Sequence, residues 1–354
     1  MKRTLLTKRE EKVLYGLVRY PELNDSELSS VLNIKLSTLT SIKRRLTAND
    51  FYHNLNVPML NRLGCELLAI IYMQFNPVIP LEKRIQTTKR TIEVFDEIFF
   101  SVGEQEKGFS ISLSKNYTNI GRINEIRTET FGKLGLLEKE YPQEVVFPFE
   151  TSHISRFFDY SRLLKKMFSL EENEPETNSG WFNCLKEAEL SLKEKKVYTA
   201  LVEYPNATTQ KIGDKVGLSR HTIARMRNSF FEEGLLKQIA LPNLNKLGVE
   251  ILTFYHIRFN PNKAPSKSDI TYLDSPYTVL LASRKFETVV LSAYPTYQDY
   301  KEDEMNKIRF LKENNLIAYP PFVGTYMFER MAVIKDFDFT PITKKILARK
   351  QNNH

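Results

Sequence analysis

Cysteine is nearly absent from this chain, and so are long apolar runs and every common catalytic signature. The two cysteines, Cys65 and Cys184, stand far apart and share no motif. That excludes a Cys-rich zinc site or a disulfide framework and fits a reduced, cytoplasmic setting. The longest apolar run, Cys65 to Met73, falls far short of the roughly 20 residues that a spanning helix needs, so no membrane association is expected. The first ten residues are charged and contain no apolar h-region, which argues against a secretory signal. Walker loop, Rossmann fingerprint, nucleophile elbow and His-Glu-x-x-His motif are all missing. The five histidines, His53, His153, His221, His256 and His354, are scattered. His256 falls in a strand pattern, where a hydrogen-bonded sheet residue is the simpler reading than a ligand. Carboxylates are plentiful but show no pairing that spacing would single out for acid–base work. The chain is therefore expected to have no catalytic site, no metal and no cofactor, and to be no enzyme.

What is present is a repeat. Tyr20-Pro21 and Tyr204-Pro205 differ by 204 − 20 = 184 positions, and sliding the chain by that offset without a gap aligns much more. Lys12, Val13, Leu17 and Val18 meet Lys196, Val197, Leu201 and Val202. Pro58, Leu60, Asn61, Leu63, Gly64 and Glu66 meet Pro242, Leu244, Asn245, Leu247, Gly248 and Glu250, and Phe75-Asn76-Pro77 meets Phe259-Asn260-Pro261. Phe158-Asp159-Tyr160 later echoes Phe337-Asp338-Phe339 at an offset of 337 − 158 = 179. This is the signature of an internal duplication. Between the copies, Ser169 to Gly180 is acidic and polar and reads as a linker.

Each copy opens with three helical patterns. Val13, Leu14, Leu17 and Val18 mark one apolar face, Thr7 and Glu10 form a capping box, and Pro21 ends the helix. A short second helix carries Leu28, Val31 and Leu32 and stops at Asn33. A third begins near Ser37 with Leu39, Ile42 and Leu46 inward, and Phe51 to Leu60 resembles a two-stranded wing. In the second copy the helices run from about Ser191 to Tyr204, from Thr208 to Val216, and from the cap Ser219 past Ile223, Met226 and Phe230 to Gly234, with Leu235 to Ile239 beginning the wing. Three short helices with a tight turn between the last two form a helix-turn-helix, whose third helix enters the DNA major groove. The outward residues suit that task. They are Ser37, Ser41, Lys43, Arg44 and Arg45 in the first copy, and Ser219, Arg220, His221, Arg225, Arg227 and Asn228 in the second, with Lys237 at the wing. Lys and Arg neutralise phosphates or pair with guanine, and Asn pairs with adenine. The net charge of +8 and pI near 9.1 fit an anionic partner.

The stretch Gly217 to Lys237, with Leu244-Asn245-Lys246-Leu247-Gly248 before a strand, resembles the recognition helix and wing of the leucine-responsive/asparagine (Lrp/AsnC) regulator family. The first copy departs from that pattern: Lys35-Leu36 stands where Ser219-Arg220 supplies the cap, and Asp50 replaces Gly234. The remainder of each copy reads β-α-β-β-α-β, the ferredoxin-like order. The expected fold is thus α+β, two copies of a winged helix-turn-helix followed by a ferredoxin-like domain, at 1–62, 63–168, 188–246 and 247–354, with the linker at 169–187. The resemblance implies a transcription regulator that binds double-stranded DNA, a small-molecule effector, and either a homodimer or an intramolecular pseudo-dimer. The family's effector loop would fall at Gly103 to Gly108, but a plain hairpin explains that loop equally well. The layout also resembles enzymes that decarboxylate a haem precursor, although no His-Asn-Tyr type signature stands in the strand region. A protein-binding adaptor that has lost DNA contact is a third reading.

Overall fold

The computed structural model describes residues 6–137, 140–171, 180–183 and 186–349. Cys184 and most of the expected linker lie outside the described residues. In chain order the first half holds α1 (Lys8–Arg19), α2 (Asp25–Val31), α3 (Leu36–Ala48), β1 (Tyr52–Pro58), a 3₁₀ turn (Leu60–Leu63), β2 (Leu67–Gln74), α4 (Leu81–Glu93), β3 (Ile98–Gly103), β4 (Lys107–Ser114), α5 (Tyr117–Lys133), β5 (Gln143–Pro148), β6 (His153–Phe157) and α6 (Ser161–Phe168). The second half repeats that order: α7 (Leu192–Glu203), α8 (Thr209–Val216), α9 (Arg220–Glu232), β7 (Leu236–Pro242), the single turn α10 (Leu244–Leu247), β8 (Ile251–Arg258), α11 (Lys267–Tyr272), β9 (Thr278–Arg284), β10 (Glu287–Tyr294), α12 (Tyr297–Glu313), β11 (Phe322–Met327), β12 (Ala332–Lys335) and α13 (Thr340–Arg349).

Local chemistry sets the helix ends. Thr7 and Glu10 close the expected capping box on α1, and Ser191 with Glu194 does the same for α7. Asn24 caps α2, its side chain accepting from the Ser26 and Glu27 N–H groups. Gly217 and Gly234 take positive φ (72° and 65°) at the ends of α8 and α9, where a left-handed residue terminates a helix. Asn33 and Asp50, 184 positions earlier, adopt the same conformation (both 51°), which Asn and Asp tolerate better than other side chains. At Gly213 a Cβ would lie 2.5 Å from the Leu218 carbonyl oxygen, so only glycine lets α8 approach the turn into α9 this closely.

The chain forms two compact units, each drawing on both halves: Met1–Leu55, Ser152–Trp181 and Gln238–Glu329 in one, Asn56–Thr151, Phe182–Lys237 and Arg330–His354 in the other. In the first unit, α1 to α3 pack on Val13, Leu14, Leu39 and Leu46, α6 rests on α1, and the strand order is β11-β8-β10-β9-β6. Tyr255, Ile257, Leu281 and Val290 of that sheet meet Leu311 of α12 in one apolar core. In the second unit, α7 to α9 are joined by α13 against α7, and the order is β12-β3-β4-β2-β5. There Ala69, Ile71 and Met73 pack with Ile92, Ile123 and Phe131 of α4 and α5.

The α+β expectation holds: each half carries a helix-turn-helix followed by one strand, ahead of a ferredoxin-like β-α-β-β-α-β module. Two features differ from the sequence reading. The Phe51 to Leu60 stretch is one strand, β1, rather than a two-stranded wing, because it contains no glycine or Asn-Gly pair to turn a hairpin. Each sheet also gains a fifth strand that periodicity did not reveal. In the first unit β6 lies antiparallel on β9, and in the second β12 lies on β3. The repeated Phe-Asp motif pins these strands. The Asp159 N–H donates to the Val279 carbonyl (3.1 Å) in one unit and the Asp338 N–H to the Phe99 carbonyl (2.9 Å) in the other. Phe337 and Phe339 pack on Phe100 and Phe99 with ring centroids 4.6 and 4.5 Å apart. The added strands cover sheet edges that would otherwise present unpaired backbone groups. Trp181 joins its own unit through a hydrogen bond from its N–H to the Ile154 carbonyl (2.7 Å), and Phe182 stacks on Phe149 in the other. No helix among the described residues is long and apolar enough to cross a membrane.

Candidate nucleic-acid interface

Helix α9 is held on one side and open on the other. Ser219 Oγ accepts from the Thr222 N–H (3.2 Å), capping the first turn. Ile223 and Phe230 are buried, and Phe230 meets Tyr198 of α7 edge-on at 5.4 Å. Residues at positions 221, 225 and 228 fall on the opposite face by the 3.6-residue period, and His221, Arg225 and Asn228 are all exposed. Arg220 is exposed at the N-terminus, where the first turn holds no acid and the helix dipole favours an anion. Arg227 sits on the flank, half-buried, its guanidinium 5.7 Å from the Phe231 ring. Lys237 is half-buried on β7. Ser219 is exposed, but its hydroxyl is committed to the cap. Glu232 is exposed on the last turn of the same outward stripe, so the positive end of the surface is the N-terminal one.

Helix α3 presents the same register with different chemistry. Leu39, Ile42 and Leu46 are buried, and Ser37, Ser41 and Arg44 are exposed. Lys35 makes no side-chain cap. Lys43 is turned aside to Asp25 (2.5 Å) and Arg45 to Glu10 (2.7 Å). Burial alone would raise the Glu10 carboxyl, but hydrogen bonds from Thr7 and the Arg45 guanidinium outweigh it and hold the group below the usual range. Lys43 and Arg45 therefore brace α3 against α2 and α1, a role invisible in the local pattern because both acids lie outside α3. Arg44 is exposed on the outward face of α3, and Arg45 is exposed beside it but paired with Glu10.

His256, read from the sequence as a sheet residue, is buried with its Nε2 2.8 Å from Glu287. The Gly103 to Gly108 loop is a hairpin closed by the Glu104 N–H on the Lys107 carbonyl (2.8 Å), and Arg84 donates to its Gln105 carbonyl (2.7 Å).

Comparison with known proteins gives two kinds of match. A family model described as the sugar-specific transcriptional regulator TrmB matches residues 185–243, which contain α7, α8, α9 and β7. No curated protein sequence matches the chain. Among solved structures, siroheme decarboxylase NirDL covers 97% of this chain and 100% of its own, with 9% identity and a TM-score of 0.52. The same enzyme with an iron-uroporphyrin III analogue gives 10% identity and 0.51. An AsnC family transcriptional regulator from Agrobacterium tumefaciens matches 39% of this chain and 89% of its own, at 17% identity and a TM-score of 0.30. An AsnC family member from Pyrococcus furiosus matches 41% and 90%, at 21% and 0.31. The expectation that the chain is no enzyme is corrected by the full-length matches: the structures that follow it from end to end are those of an enzyme, and this order of elements carries catalysis there. At 9–10% identity the likeness to the decarboxylase is one of fold.

Proposed function

We propose that the chain is a cytoplasmic, sequence-specific DNA-binding regulator of transcription, built by tandem duplication on the Lrp/AsnC-like plan, with α9 reading base edges in the major groove. The observation that carries this reading is the outward face of α9: Arg225 and Asn228 exposed three residues apart, a capped N-terminus without acids, and Ile223 and Phe230 locking the helix behind them. The match of this segment to a regulator model supports it. Arg225 has the fork that pairs with guanine O6 and N7, and Asn228 the amide that pairs with adenine N6 and N7. Arg44 on α3 would contact phosphate, which positions the protein without reading sequence. The ungapped 184-residue offset and the repeated element order support the duplication. A small effector and pairing of the ferredoxin-like modules, within one chain or between two, belong to the same reading.

Arg225→Ala and Asn228→Ala are each expected to cost about 1–3 kcal/mol on the best site while leaving scrambled duplex nearly unaffected. Arg44→Ala is expected to weaken both duplexes alike. Competition binding of each variant between the two duplexes measures this, and unchanged discrimination in both α9 variants removes α9 from the reading role.

The full-length likeness to siroheme decarboxylase favours a second reading, binding and decarboxylation of a haem precursor. Under it, adding iron-uroporphyrin III to the purified chain shifts the Soret band with saturation at a fixed stoichiometry. An unperturbed spectrum at micromolar protein counts against it.

A further inference from the structure

The second unit contains an open cleft of about 670 Å³ between α7, the last turn of α8 and α13. That volume is ordinary for a small-molecule site. Its floor is apolar: Ala200 and Leu347 are buried and Val216 half-buried. Leu192 stands at the mouth, 61% exposed. The polar lining is one-sided in charge, with Lys195, Lys196, Lys215 and Lys344 against Glu203. Glu203 accepts from Tyr204 Oη (2.6 Å) and from Lys344 (2.9 Å), and those hydrogen bonds hold its carboxyl below the usual range. It stays ionised, and its charge is matched by Lys344. Lys195, Lys196 and Lys215 then leave the cleft positive. Lys215 is fixed in place, its ammonium 4.0 Å from the centroid of the Tyr204 ring.

The fold does not demand this arrangement. In the first unit α1 and α6 pack as α7 and α13 do, but the chemistry there is different. Glu11, Arg19 and Val31 stand 184 positions before Lys195, Glu203 and Lys215. Tyr15, Gly16 and Leu32 are buried, a Cβ on Gly16 would meet Leu32 Cδ1 at 2.6 Å, and Phe168 is buried at the position 179 before Leu347. Tyr15, Leu32 and Phe168 stand where the second unit has the smaller Thr199, Val216 and Leu347, and of the four cleft lysines Lys196 and Lys344 have counterparts in Lys12 and Lys165 whereas Lys195 and Lys215 have none.

We propose that the α7–α13 cleft is a binding site for a small amphipathic anion, an apolar body carrying an acid group, with the body on Ala200, Val216 and Leu347 and the acid among Lys195, Lys196 and Lys215. The site stands on the cleft alone and is independent of what α9 reads. The probe is 8-anilinonaphthalene-1-sulfonate, titrated by fluorescence into the full-length chain with and without random duplex DNA. Saturable binding at one probe per chain is expected, weakened at least tenfold in the Lys196→Glu/Lys215→Glu double variant and unchanged in Lys312→Glu, an exposed lysine on α12. Both substituted cleft lysines are exposed, and circular dichroism checks that the double variant folds. Three results overturn the site: no saturable binding, equal affinity in the double variant, or a double variant that loses only DNA affinity, which would assign these lysines to nucleic-acid phosphate.

Discussion

Affinity for a DNA duplex is expected to fall by about 10²-fold between about 50 and 200 mM salt. Each neutralised phosphate releases condensed counterions, and the slope of log affinity against log salt is about −0.9 per phosphate. Arg220, Arg227 and Lys237 in the second half and Arg44 in the first would make about four phosphate contacts, so a slope near −3.6 follows for a fourfold rise in salt. The first half adds only Arg44, since Lys43 and Arg45 are engaged by Asp25 and Glu10. A fall of about 10³-fold, the value for six phosphates, would mean that Lys43 and Arg45 leave their acids and join Arg44 in the contact. A flat response across this range sinks the electrostatic mechanism, and Arg220→Ala should lower the slope by about one.

Asp303→Ala is expected to destabilise the chain by about 3–5 kcal/mol, the usual cost of removing one partner from a buried ion pair. Asp303 and Lys307, one turn apart on α12, form that pair, and Lys307 is 2% exposed. Lys307 also donates to Ser275 Oγ (3.0 Å), Tyr294 Oη donates to Asp303 (2.7 Å), and Tyr294 Oη lies 3.3 Å from Tyr255 Oη. Burial pulls the Lys307 pKa down and Asp303 opposes that pull, so losing Asp303 strands a desolvated cation. Replacing both, as Asp303→Leu with Lys307→Met, is expected to be near neutral or stabilising, because the desolvation penalty then vanishes with the charges. Urea denaturation of the two variants reads the difference. A single Asp303→Ala variant within about 1 kcal/mol of the parent would show that the pair is hydrated rather than buried.

The helix-turn-helix was legible because its determinants are local. Thr7 with Glu10 and Ser219 with Thr222 are three residues apart, and each cap sits where the sequence placed it. The left-handed residues Gly217 and Gly234 mark helix ends by steric freedom that no distant contact alters. The β-α-β-β-α-β order followed from apolar runs whose period depends only on neighbouring residues. The outward stripe of α9 was legible for the same reason, whereas the true role of Lys43 and Arg45 was not, since their partners lie on other helices. Function class was less legible still. The layout follows that of a decarboxylase from end to end, and a fold does not by itself fix a function, so the layout alone could not support the expectation of a chain without enzymatic activity.

The sequence by itself determined where helices start and stop, which of their faces are apolar, and that two halves follow one pattern. Tertiary structure alone decided which segments share a unit. It laid β6 on β9 through bonds such as Asp159 to Val279, 120 positions apart, and opened a cleft between α7 and α13. It also buried Lys307, which on a bare helical wheel is an ordinary i, i+4 partner of Asp303. The physical reason is range. Capping, handedness and periodicity act within about four residues and are written in the local sequence. Edge pairing, burial and cavity shape depend on which distant surfaces meet, and only the folded chain fixes that.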